Sequence, residues 1–106
     1  MDENDLKIIH KFKRLIEPKV KLHHVYLFGS RARGDAEPDS DMDLLVVLDE
    51  PKTRDVSNIV SDCAWQAGFD NGVVIVPIVV SRDHWETGPE RASLLAMAVR
   101  EEGISI

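Results

Sequence analysis

The stretch from Gly29 to Leu44 decides the fold, and it reads GSRARGDAEPDSDMDL. It follows a run with β-strand composition at 24–28 (HVYLF) and leads into a second such run at 43–48 (DLLVVL). A glycine at a strand end lets the backbone turn sharply and approach a ligand closely, and Gly34 permits a second tight turn. We therefore expect two strands joined by a polar loop that can include one short helical turn at its start, with the chemistry at the loop end of the sheet.

Two carboxylates, Asp41 and Asp43, stand two residues apart at the start of the second strand. Side chains at that spacing share one face of a strand, where like charges repel unless a cation lies between them. Their hard oxygens suit Mg²⁺, and the N–H groups after Gly29, with the hydroxyl of Ser30, can line an anion site. A phosphate cradle beside a carboxylate metal site suits two-metal nucleotidyl transfer. The alternative is a polar, solvent-exposed strand start.

The apolar periodicity predicts three helices, at 2–17, at 53–67 and from the capping-box sequence at 87–90 to about Glu102. A third strand is predicted at 73–80, where Pro77 indicates one free side or a bulge. The order is α-β-loop-β-α-β-α over a single domain, 1–106. This predicts an α/β (or α+β) fold, a small mixed β-sheet with helices mainly on one side.

The composition limits the classes of function. The chain has 106 residues, 43% of them hydrophobic, and a net charge of −6, which argues against a nucleic-acid substrate. No apolar run approaches the length of a membrane span. The single cysteine, Cys63, lies on an apolar helix stripe and is expected to be a core thiol in a cytoplasmic protein. The sequence does not decide whether three large aromatic residues lie in the core or at a partner interface: Trp65, Phe69 and Trp85.

The pattern G-S-R-A-R-G, then five residues, then S-D-M-D-L resembles the signature of the DNA polymerase β-like nucleotidyltransferase superfamily. The small size and the form of the motif resemble the minimal nucleotidyltransferase family. The motif covers residues 29–44, and the element order extends the likeness less specifically over most of the chain. The resemblance implies the polymerase β-like fold, a nucleoside triphosphate substrate such as ATP, and Mg²⁺. It also implies an antitoxin paired with a HEPN-domain ribonuclease toxin.

The resemblance implies roles for four residues of the motif. Gly29 and Ser30 would hold the β- and γ-phosphates of the triphosphate. Asp41 and Asp43 would bind Mg²⁺ and so form the catalytic pair. A hydroxyl would then attack the α-phosphorus, and pyrophosphate would leave.

Two arginines and a serine complete the predicted nucleotide-binding set. Arginine suits bidentate phosphate contacts, so either Arg31 or Arg33 is expected to meet a phosphate, and the sequence leaves the choice open. Ser40 is included as a binding residue, with a role as a cap or turn residue as the alternative. For both arginines the alternative is a solvated loop.

The sequence departs from the superfamily pattern at one point. The resemblance implies a third carboxylate on the strand beside the D-x-D strand, but residues 73–80 (VVIVPIVV) contain no acid. Asp70 lies roughly 20 Å from mid-strand. Asp83 and Glu86 lie after the end of the strand, and they are no better placed to replace the missing carboxylate. We therefore expect nucleotide binding to survive more readily than transfer.

These observations leave three functional hypotheses. The first is Mg²⁺-dependent transfer of a nucleoside monophosphate, by resemblance AMP from ATP, to a hydroxyl of a HEPN-type partner protein. The second is a catalytically degenerate protein that neutralises its partner by occlusion, which the missing acid favours. The third is transfer to a small molecule or a nucleic-acid end. The oligomeric state stays open.

Overall fold

A computed structural model describes residues 2–88 and 93–106 of the chain. The helices are α1 (Glu3–Ile16), α2 (Ser30–Arg33), α3 (Arg54–Phe69), α4 (Arg82–Thr87) and α5 (Leu94–Glu102). The strands are β1 (Leu22–Phe28), β2 (Met42–Leu48), β3 (Ile75–Ser81) and β4 (Ile104–Ser105).

The strands form one mixed sheet in the order β3-β2-β1-β4. β1 is antiparallel to both β2 and β4, and β2 is parallel to β3. The mixed sheet confirms the predicted fold class. Among residues 2–88 and 93–106, β3 pairs only with β2, so Pro77 lies on an edge strand, consistent with its missing N–H.

β2 lies inside the sheet and is covered on both faces, which explains its continuous apolar run. On one face, α1 and α3 pack over the larger core. On the other face is a smaller cluster that includes Val99 of α5, with Trp85 of α4 packed against it. The buried residues of the larger core include Ile9, Phe12, Leu27, Leu44, Val46, Val60, Cys63 and Ala64.

Two of the three aromatic residues whose place the sequence left undecided lie on the surface of α3. Trp65 is 63% exposed and Phe69 is 65% exposed, and their ring centroids are 5.3 Å apart. Trp85 packs instead against the smaller core cluster. Among the described residues, no helix is both long and apolar enough to cross a membrane.

The sequence missed two short elements, α4 and β4. α4 begins directly after β3 with Ser81 as its cap, a start that a six-residue helix does not reveal by periodicity. β4 has two residues and forms by antiparallel pairing with β1, which a sequence pattern of two residues cannot indicate. The predicted capping box at 87–90 extends into 89–92, outside the described residues; α5 itself is capped by Ser93.

Candidate active site

The turn at Gly29 places β1 directly beside the acidic start of β2. Gly29 has φ +78°, a left-handed value that favours glycine, and it joins the end of β1 to α2. Phe28 pairs with Asp43 in the antiparallel register. A Cβ atom on Gly29 would lie 2.4 Å from Oδ2 of Asp43, so a larger residue here would push that carboxylate aside. The structure thus brings the two halves of the motif together.

The two predicted metal ligands differ in their exposure. Asp41 is exposed just before β2, whereas Asp43 is partly buried within the strand. Burial raises the pKa of Asp43, and so do the charges of Asp41 and Glu102, while Arg33 lowers it. A cation between the two carboxylates would relieve this unfavourable charge.

The donor set fits Mg²⁺ only if the substrate contributes ligands. Within residues 2–88 and 93–106, no group of three or more His, Cys, Asp or Glu side chains is arranged to hold a metal. Mg²⁺ commonly uses one or two carboxylates together with substrate phosphates and water, so Asp41 and Asp43 suffice for that mode. On β3 the residue beside Asp43 is Val76, 36% exposed, so an apolar side chain occupies the position next to the acidic strand.

The guanidinium of Arg31 is engaged within the protein. Its Nη1 donates to Oδ1 of Asp5 at 2.7 Å, and these two side chains are 8% and 7% exposed. Its Nε and Nη2 donate to the carbonyl of Ser40, and Nη2 also reaches the carbonyl of Pro38. Arg31 therefore fixes the loop before β2 onto α1, which disfavours it as the phosphate-binding arginine.

Arg33 is the arginine that faces the acidic residues of the site. Its Nη1 lies 3.2 and 3.1 Å from the two carboxylate oxygens of Glu102, and its Nε donates to Asp35. Its side chain is 46% exposed, so an incoming anion can reach it. Of the two arginines that the sequence left open, the geometry favours Arg33.

The two serines of the predicted set have different surroundings. The hydroxyl of Ser40 accepts from the N–H of Glu37, and its carbonyl accepts from Arg31, which makes it a turn residue in this structure. The carbonyl of Ser30 accepts from the N–H groups of Gly34 and Asp35, which closes α2. Ser30 follows Gly29 directly and is partly exposed, so its hydroxyl remains suited to a ligand.

Glu102 is a residue of this site that the sequence did not indicate. It is the last residue of α5, and its Oε1 accepts a hydrogen bond from the N–H of Gly29 at 3.1 Å. A glutamate at a helix end gives no sequence signal, and 73 residues separate it from Gly29. The pairing of β4 with β1 and the packing of α5 against β1 bring the end of α5 to the Gly29 turn.

The comparison with protein families decides the class. The family model described as "Nucleotidyltransferase domain" matches residues 7–100. The chain belongs to the nucleotidyltransferase family. This confirms the superfamily that the motif predicted and places the chain among nucleotidyl-transferring enzymes.

Relatives of this nucleotidyltransferase include the Methanocaldococcus jannaschii protein named "Putative protein adenylyltransferase MJ0141". The two are 34% identical over 79 residues, which are 73% of this chain and 80% of that protein. A second protein of the same organism, "Putative protein adenylyltransferase MJ1379", is 41% identical over 44 residues, which are 42% of this chain and 44% of that protein.

Solved structures share the fold. One is a chain of a toxin–antitoxin complex with AMP-PNP, with a TM-score of 0.65, 20% identity, and coverage of 99% of this chain and 72% of that one. Another belongs to the complex of tri-AMPylated Shewanella oneidensis HEPN toxin with MNT antitoxin. Its TM-score is 0.58 at 17% identity, with coverage of 95% of this chain and 69% of that one.

Proposed function

We propose that this nucleotidyltransferase moves AMP from ATP to a hydroxyl of a partner protein in a reaction that needs Mg²⁺. One observation carries the proposal: the backbone of Gly29 packs against the carboxylate of Asp43. The turn that we propose to bind phosphate therefore lies directly beside one of the two proposed metal ligands, Asp43. A site with these two parts side by side is suited to transfer at the α-phosphorus of a triphosphate.

In this proposal the chain mainly binds and orients the substrate. Gly29, Ser30 and Arg33 hold the phosphates, while Asp41 and Asp43 provide the oxygens for Mg²⁺. When bound, Mg²⁺ would neutralise phosphate charge and polarise the α-phosphorus. The acceptor oxygen bonds to the α-phosphorus, the bond to pyrophosphate breaks, and the hydroxyl proton passes to a base or to water.

A protein acceptor is supported by the relatives and by the surface of α3. Both archaeal relatives carry the name "Putative protein adenylyltransferase", and the two structural neighbours described above come from toxin–antitoxin complexes, one of them with a HEPN toxin. Trp65 and Phe69 form an exposed aromatic pair of the kind that anchors protein interfaces. We therefore propose a HEPN-type ribonuclease toxin as partner, an antitoxin role for this chain, and a cytoplasmic location.

Label transfer tests this function. The purified protein is incubated with Mg²⁺ and α-phosphate-labelled ATP, with and without the proposed HEPN-type partner protein. The D41N/D43N double variant serves as the control. We expect label on the partner with the wild-type protein and none with the double variant.

The second candidate is inhibition by binding alone, and Val76 favours it. An apolar residue stands beside Asp43 where a further acid would assist metal binding and proton removal. General base catalysis is typically worth about 10²–10⁴-fold, so its loss would slow transfer greatly. A partner that stays unlabelled while it is bound and inhibited would establish this candidate and overturn the first.

A further inference from the structure

Glu102 occupies an anion position inside the candidate site. Its Oε1 accepts from the N–H of Gly29 at 3.1 Å, and both of its oxygens lie within 3.2 Å of Nη1 of Arg33. The Glu102 side chain is only 23% exposed. One carboxylate thus engages both a backbone donor and a cationic donor of the site.

These two donors are among those that the proposed function assigns to the triphosphate. Carboxylates and phosphates are recognised by the same charge-assisted donors, so the two anions compete for them. While the N–H of Gly29 donates to Glu102, it is not available to a phosphate oxygen. The charge of Glu102 also acts on Asp43, which means that it extends to the metal-binding side of the site.

We propose that Glu102 holds the phosphate position of Gly29 and Arg33 in the nucleotide-free protein, and that the triphosphate binds by displacing it. The proposal rests on the proposed function, because it assumes that nucleotide binds at Gly29. Glu102 is here a positioning residue that sets nucleotide affinity, and it does not touch the reacting atoms.

The fold allows this displacement by rotation of one side chain. The backbone after Glu102 is fixed, because the N–H of Gly103 donates to the carbonyl of Val99 at 2.8 Å and Ile104 pairs with Leu27. A Cβ atom on Gly103 would lie 2.2 Å from the same carbonyl, so the backbone passes too close to α5 for a side chain at this position. The partly exposed Glu102 side chain can therefore leave the site without movement of α5 or β4.

The test is calorimetric titration with α,β-methylene-ATP and Mg²⁺, a ligand that cannot release pyrophosphate. E102Q keeps the size of the side chain and removes its charge. We expect it to bind the ligand about 3- to 10-fold more tightly than wild type. The apparent affinity of wild type is lowered because only the fraction of molecules in which Glu102 has left the site can bind. The matched control is E101Q, which makes the same charge change at an exposed neighbour and is expected to leave affinity within about twofold of wild type.

Each outcome decides the proposal. Tighter binding by E102Q alone supports it. Equal affinity for wild type and E102Q overturns it, and weaker binding by E102Q overturns it in favour of a metal-binding role for Glu102. If neither protein binds the ligand although thermal unfolding shows that both are folded, the assignment of the nucleotide site is wrong, and the proposal is overturned with it. E102A replaces E102Q if the latter does not fold.

Discussion

Gly29 and Asp43 are in such close contact that a methyl group on the glycine would lie 2.4 Å from a carboxylate oxygen of the aspartate. This contact joins the end of β1 to the acidic start of β2 across the sheet. It fixes where the turn stands relative to the carboxylates, which is the geometric basis of the proposed nucleotide site.

The first prediction concerns this contact. G29A should abolish nucleotide binding and destabilise the protein by about 1–3 kcal/mol, because alanine is strained at φ +78° and its methyl displaces Asp43. The matched control is G72A, where φ is +66° but nothing lies within 4 Å of the added methyl. Calorimetry and urea unfolding measure both effects. Equal loss of binding in G29A and G72A would contradict the assignment of the Gly29–Asp43 contact.

The second prediction concerns the buried ion pair of Arg31 and Asp5. R31A should cost about 3–5 kcal/mol in the free energy of unfolding, because it leaves the Asp5 carboxylate buried without its partner. K11A, which breaks the exposed pair with Asp70, should cost no more than about 1 kcal/mol. Urea unfolding compares the two variants. Similar costs would show that Arg31 does not secure the loop onto α1.

The third prediction uses the pKa of Asp43, which folding raises above its ordinary value of 3.8. The folded protein then holds this proton more tightly than the unfolded chain, so stability falls as pH rises from the unfolded to the folded pKa. D43N removes the ionised group and should raise the melting temperature at pH 7 without Mg²⁺. Its advantage over wild type should shrink as the pH falls from the folded to the unfolded pKa and should be absent below the unfolded pKa.

When Mg²⁺ and nucleotide are present, wild type should instead have a higher melting temperature than D43N. Ligand binding stabilises the folded wild type by mass action, whereas D43N lacks an oxygen that the site needs. Thermal unfolding with and without Mg²⁺ and α,β-methylene-ATP measures the reversal. A wild type that is more stable than D43N at pH 7 even without ligand would show that Asp43 is not under charge strain.

The fourth prediction concerns the missing acid. Val76 lies beside Asp43 on β3 and is partly exposed, so V76D places a carboxylate next to the pair at little cost to folding. We expect V76D to raise the rate of label transfer about ten- to a hundredfold, within the usual range for general base catalysis. V76N has nearly the same shape without the charge and should not raise the rate. Equal rates for V76D and V76N would exclude an acid at this position as the limiting factor.

The parts of the molecule that the sequence predicted are those governed by local pattern. The apolar run of β2, the periodicity of α1 and α3, and the turn at Gly29 each have a signal within a few residues. The Arg31–Asp5 pair could not be predicted, because it joins α1 to the loop through tertiary packing. Glu102 could not be predicted either, since tertiary contacts of α5 and β4 with β1 bring it to Gly29.

The central claim is that the Gly29 turn and the Asp41–Asp43 pair form one Mg²⁺-dependent triphosphate site. The most direct test is the affinity for α,β-methylene-ATP of wild type and of folded D41N/D43N, each with Mg²⁺ and with excess chelator. We predict that wild type binds only with Mg²⁺ and that the double variant loses at least tenfold in affinity, because it lacks both carboxylate ligands. Unchanged, Mg²⁺-independent binding by the double variant would contradict the claim.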